Sequence, residues 1–179
     1  DRFVAVSLLL QRVAERQADR FGLVVFDDTI RRFIRASSGK SHFGVCRDVL
    51  YTLEPRMVNP DYYELCSFLR TRIAKRALLI FLANLDDPVL AEQFLHGINL
   101  IARKHVVAVH LFLPRHIMPL FSDDRVTHLE DIYRALAGHI QWRDLFELDR
   151  ALRRKGIWMN VLDNETMSAQ VIGQYLSLR

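Results

Sequence analysis

An unbroken apolar run at residues 77–83 ends in a polar corner, Asn84-Leu85-Asp86-Asp87, and the chain then meets Pro88. An apolar run of this length, bounded by turn residues, reads as a strand covered on both faces. That environment is found in parallel sheets wrapped by helices. Pro88 suits the first position of a following helix, with Asp87 as its N-cap. In such sheets ligands collect at the carboxyl ends of the strands. Asn84, Asp86 and Asp87 are therefore candidate rim residues.

The flanking sequence supports the same architecture. Phe3, Val6, Leu10, Val13 and Ala14 recur at helical spacing and predict an amphipathic helix ending near Asp19. A strand is predicted over 22–26. Asp27-Asp28-Thr29 then turns the chain into an antiparallel edge strand over 30–34, kept soluble by Arg31, Arg32 and Arg35. Helices are predicted over 42–53, 61–73, 88–103, 129–155 and 166–178, the fourth in two pieces hinged at Gly138. Further strands are predicted over 105–112 and 157–162, with Gly156 stopping the helix before the last strand. Residues 113–128, with two prolines, read as an irregular excursion.

Strands alternating with helices specify an α/β fold: a mostly parallel sheet, helices on both faces and one antiparallel edge strand. A crossover helix links two strands, yet no strand precedes the first helix. One further strand is therefore expected upstream of Asp1, in the middle of the sheet, and the chain reads as an N-terminally truncated single domain over 1–179.

Composition narrows the function classes. Of 179 residues 50% are hydrophobic and 26% charged, which suits a folded domain with a sizeable core rather than a disordered segment. The net charge of +4 is modest, and the basic clusters at Arg31-Arg32-Arg35, 70–76 and 153–155 read as solvated faces, so no specific nucleic-acid partner is expected. Cys46 and Cys66 both fall on apolar helix faces and read as buried free thiols. No run reaches the roughly 20 apolar residues of a membrane helix. A cytoplasmic location is expected, or the cytoplasmic face of a protein anchored upstream.

Several constellations could carry chemistry. Asp27-Asp28 and Asp86-Asp87 place paired carboxylates at strand ends, as in acidic phosphoryl-transfer sites. Such a site also wants a lysine at the end of a later strand, where this chain has Phe112-Leu113-Pro114-Arg115. Turn chemistry accounts for Asp27-Asp28. The loop 37–41, SSGKS, lacks the full phosphate-loop pattern, and the histidines show no compact ligand spacing.

The segments DRFGLVVF (19–26), RALLIFLANLDD (76–87), ARKHVVAV (102–109) and the closing Val171-Ile172 with Tyr175-Leu176 occur in an order that resembles one bacterial family. It is the von Willebrand factor A-like family known as domain of unknown function fifty-eight. The resemblance spans essentially the whole chain and implies a Rossmann-like von Willebrand A fold. It also implies association with a MoxR-type AAA+ ATPase and no established catalytic role. Domains of that fold can hold a divalent cation through an Asp-x-Ser-x-Ser loop after the first strand, a Thr from a second loop and an Asp ending the central strand. Here the first loop lies outside the chain, the second reads Asn59-Pro60-Asp61 without Thr, and Asn84 stands at the metal Asp position. Mg²⁺ needs anionic oxygens to offset its dehydration, so Asn84 marks a vestigial, degenerate metal-ion-dependent adhesion site. No metal or other cofactor is expected, Mg²⁺ entering only if an upstream loop supplies ligands.

The expected function is thus a non-catalytic protein-interaction domain, an adaptor or client-delivery partner of a MoxR-type AAA+ ATPase. Its binding rim would comprise Asp27, Asp28, Asn59, Asp61, Asn84, Asp86 and Asp87, joined by the loop 114–124. The alternative is a Mg²⁺-dependent hydrolase or phosphotransfer domain using the strand-end carboxylates Asp86 and Asp87.

Overall fold

A computed structural model describes residues 2–54, 56–85, 87–112, 117, 129–162 and 167–178. Its described elements run α1 (Arg2–Arg16), β1 (Phe21–Phe26), β2 (Ile30–Ser37), α2 (Lys40–Tyr51), α3 (Tyr62–Arg72), β3 (Leu78–Ala83), α4 (Pro88–Ile98), β4 (Val106–Phe112), α5 (Leu129–Arg153), β5 (Trp158–Leu162) and α6 (Met167–Leu178). The strands form two sheets, an antiparallel pair β1-β2 and a parallel trio β3-β4-β5. The chain divides into two units, Asp1–Ala74 with Asn164–Arg179, and Lys75–Asp163. The α/β class and the parallel pairing agree with the reading of the sequence; the antiparallel strand after β1 is present, but it pairs with β1 in a sheet of its own and is not the edge of the parallel sheet, because the apolar pattern of a strand does not specify its partner.

In the first unit, α1 packs against α2 and α6. Val6, Leu10 and Ala14 from α1, Cys46 and Leu50 from α2, and Val171 and Tyr175 from α6 are buried. Gln11 is also buried, and its Nε2 donates to the Phe43 carbonyl at 3.2 Å, tying α1 to α2. The Tyr175 hydroxyl donates to Asp19 Oδ2 at 2.5 Å, which fastens the last helix to the segment after the first. On α3, Tyr62, Leu65, Cys66 and Leu69 form the buried face. Tyr62 meets Phe26 edge-on at 5.7 Å between centroids, and Phe68 meets Phe33 at 5.1 Å. The hairpin shifts register between Phe21 and Leu23. Gly22 lies between them, where a Cβ would come within 2.9 Å of the Ala36 backbone nitrogen, so only glycine fits. Both cysteines are free and buried, and burial pushes the Cys66 thiol up to about 12.

In the second unit β4 is the middle strand, paired in parallel with β3 from Leu78↔Val106 to Ala83↔Leu111 and with β5 from Ala108↔Trp158 to Phe112↔Leu162. Its residues 107–111 are all buried. The strand read from sequence as central, β3, is an outer strand of this trio. Its Leu78, Leu79 and Ile80 are half-buried, and only Phe81 and Ala83 are buried. Hydrophobicity reports how apolar a strand is, whereas centrality is decided by neighbours distant in sequence. Phe81 packs edge-on against Phe94 of α4 at 5.5 Å, and Phe94, Ile98 and Ile101 have no exposed surface.

Two helix boundaries also differ from expectation. After Ile98 the hydrogen bonds tighten to Leu100 N–H with the Gly97 carbonyl and Ile101 N–H with the Ile98 carbonyl. The periodicity that predicts helix to residue 103 is therefore carried by turns. Helix α5 runs unbroken through Gly138, so there is no hinge. A lone glycine costs roughly 1 kcal/mol against alanine in a helix, too little to break a helix anchored by buried Leu145, Leu148 and Leu152. Gly156, at φ 72°, does stop the helix: its N–H bonds the Arg153 carbonyl at 2.9 Å and the Ile157 N–H bonds Leu152 at 3.1 Å. The excursion 113–128 and the start of the last predicted helix at Thr166 lie outside the described residues, except for buried Ile117.

One polar side chain sits in the parallel trio without compensation. His110, opposite Leu82 and Asn160, has no exposed surface, and neither ring nitrogen has a hydrogen-bond partner among the described residues. Burial pushes its pKa down to about 4. The unfolded chain, with an ordinary histidine near 6.5, binds the proton first, so stability falls as pH drops from about 6.5 towards 4. His110→Leu is expected to remove this pH-dependent loss, on the order of 3 kcal/mol at full extent, in urea unfolding followed at pH 7 and pH 4.5. A variant that loses as much stability as the parent between those pH values would contradict the assignment.

Candidate functional site

Three carboxylates near the ends of strands are each held by donors from this chain. In the first unit, Asp27 closes the β1–β2 turn. Its Oδ1 accepts from the Thr29 N–H at 3.1 Å and the Thr29 hydroxyl at 3.4 Å. Its Oδ2 lies 3.1 Å from Arg56 and 3.4 Å from Arg31, and Arg56 also stands 3.7 Å from Asp28. The Asp27 carbonyl accepts from the Asp61 N–H at 3.0 Å, and Asp61 in turn caps α3, its Oδ1 accepting from the Glu64 N–H at 2.8 Å. Asp27, Asp28 and Asp61 are thereby gathered at one place, joined by Arg31 and Arg56. Asn59 is exposed in the segment leading to Asp61.

In the second unit, Asn84 is exposed just past the end of β3. Asp87 is the N-cap of α4, Oδ1 accepting from the Val89 N–H at 2.7 Å, with Pro88 in the first turn. This agrees with the capping role assigned from sequence and is worth about 1 kcal/mol to the helix. Asp86, the remaining candidate, lies outside the described residues.

Arg56 is the residue that sequence reasoning missed. It is 29 positions from Asp27, in a stretch with no periodicity, and nothing local signals that it folds back onto the turn. Crowding by the surrounding chain works against ionisation of Asp27. It is outweighed by hydrogen bonds with Asp28 and the Thr29 N–H and by the Arg31 and Arg56 guanidinium groups, which hold the carboxyl down at about 2.

Asn84 offers a neutral oxygen, Asp27 is neutralised by two arginines, and Asp61 and Asp87 each spend an oxygen on a helix N-terminus. Among the described residues no group of three or more His, Cys, Asp or Glu side chains is placed to hold a metal ion. No helix among them is long and apolar enough to cross a membrane.

The Asp27 cluster gives a direct expectation. Its depressed pKa contributes stability that is present above about 4, the ordinary carboxylate value, and is lost as pH falls towards 2. Arg31→Ala and Arg56→Ala are each expected to move the Asp27 titration up towards that ordinary value in carboxyl-detected NMR, with the rise in Arg31→Ala at least as large as that in Arg56→Ala. An Asp27 midpoint unchanged in both variants would show that the arginines do not set it.

No curated protein and no solved structure matches the chain. A family model described as Protein of unknown function DUF58 matches residues 1–131, well over half of the sequence, and the chain belongs to that family.

Proposed function

We propose that the chain is a non-catalytic protein-interaction domain of von Willebrand A type that serves as an adaptor or client-delivery partner of a MoxR-type AAA+ ATPase. Family membership supports this reading, and the four ordered segments 19–26, 76–87, 102–109 and 171–176 carry the resemblance from which the ATPase partner is inferred. The observation that weighs most is the state of the rim carboxylates. Asp27, Asp61 and Asp87 are committed to the chain's own guanidinium and backbone N–H groups. A carboxylate committed in this way shapes and charges a surface, and it is poorly placed to act as a metal ligand or a general base. The degenerate position Asn84 then belongs to a docking face, where complementarity replaces cation bridging.

The test is co-purification of the full chain with the MoxR-type ATPase of the same cell, with and without Mg²⁺. Retention is expected in both conditions and is expected to fall at least tenfold in Asn59→Arg and Asn84→Arg, which place cations on exposed rim positions. Mg²⁺-dependent hydrolysis of a generic phosphoester that disappears in Asp86→Ala would overturn the reading in favour of the hydrolase alternative. Failure of the ATPase to be retained would overturn the partner assignment.

A further inference from the structure

Helices α4 and α5 pack against each other and leave an open groove of about 410 Å³ between them. The groove starts at Leu85 and Pro88, the corner that follows β3, and runs along one face of each helix. Pro88, Ala91, Glu92 and Leu95 recur on α4 at helical spacing, and Gln141, Leu145 and Leu148 do so on α5. Its lining is aliphatic at Leu85, Ala91, Leu95, Leu145, Leu148 and Ala151.

The charge of the walls runs against the charge of the protein. The chain carries +4 overall, yet the groove presents Glu92, Asp144 and Glu147 against one cation, Arg154. Arg143 stands 3.4 Å from Asp144 and offsets it in part. Glu92 and Glu147 are both exposed and form no ion pair among the described residues. An apolar trough flanked by carboxylates is complementary to an amphipathic helix with aliphatic residues on one stripe and Lys or Arg beside it. An acidic segment would meet like charge along the same walls.

We propose that this groove is the docking site for a basic amphipathic helix of a partner protein. The proposal rests on the reading that the chain works by binding protein, and it adds a second surface with its own chemistry. Apolar side chains of the partner fill the space over Leu95, Leu145 and Leu148, and its cations pair with Glu92, Asp144 and Glu147. Much of α5 lies past residue 131, where the family match ends, so the groove belongs partly to a region outside that match.

Two synthetic helical peptides test this, identical in their leucine stripe and carrying either lysine or glutamate beside it. Binding to the full chain is followed by fluorescence anisotropy at low and high salt. The lysine peptide is expected to bind at least tenfold more tightly than the glutamate peptide and to weaken as salt rises. In the double variant Glu92→Lys with Glu147→Lys, both at exposed positions, the preference is expected to reverse. A separate variant, Leu95→Glu, is expected to weaken both peptides. Equal binding of the two peptides, no binding of either, or a preference unchanged in the double variant would overturn the proposal. Loss of peptide binding with the ATPase still retained overturns the groove alone, whereas peptide binding without ATPase retention leaves the groove standing and removes the ATPase reading.

Discussion

The parallel pairing of β3 with β4, from Leu78↔Val106 to Ala83↔Leu111, is the constraint on which the second unit depends. It sets the point at which β3 stops, and with it the position of the corner Asn84-Leu85 and the entry of α4 at Pro88. Because a strand's side chains alternate between faces, Phe81 and Ala83 share one face, and both are buried, with Phe81 against Phe94. A slip of one residue in that register would turn Phe81 away from α4. The cap at Asp87, the face α4 presents and the groove between α4 and α5 all follow from where that strand ends.

The rim illustrates how one residue type can serve two ends. Carboxylates at strand ends are often read as chemistry, because catalysis and metal binding both need anionic oxygens there. The described ones here have nearer employment. Asp61 and Asp87 satisfy N–H groups that a helix start leaves without partners, and Asp27 is fixed by two arginines and its own turn. Capping and ion pairing draw on the same lone pairs as a metal would. In the first unit the charge of Asp27 is already balanced by its arginines, whereas in the second Glu92 and Glu147 remain exposed.

What could be read from the residues divides cleanly by range. The strand at 78–83, the Asp87 cap with Pro88 behind it, the Gly156 stop and the turn at Asp27-Asp28-Thr29 are local, and their side chains announce them. The burial of Cys46 and Cys66 follows from helical periodicity alone. Pairing is not local. Nothing in the apolar run itself says that, among the described strands, β4 and not β3 is flanked on both edges, because that depends on which strands find one another. Arg56 reaching Asp27 and α5 lying along α4 are likewise relations between distant segments. The continuity of α5 through Gly138 was missed for a different reason: glycine's local cost is real, but tertiary burial of Leu145, Leu148 and Leu152 outweighs it.

In the function proposed above, this chain acts by presenting the β3 corner and the α4–α5 face to a protein partner. Hydrogen–deuterium exchange of the full chain, alone and saturated with the MoxR-type ATPase, addresses it most directly. New protection is expected at residues 84–95 and 141–154 of the second unit. Complex formation that leaves both segments exchanging as they do in the free chain would contradict it.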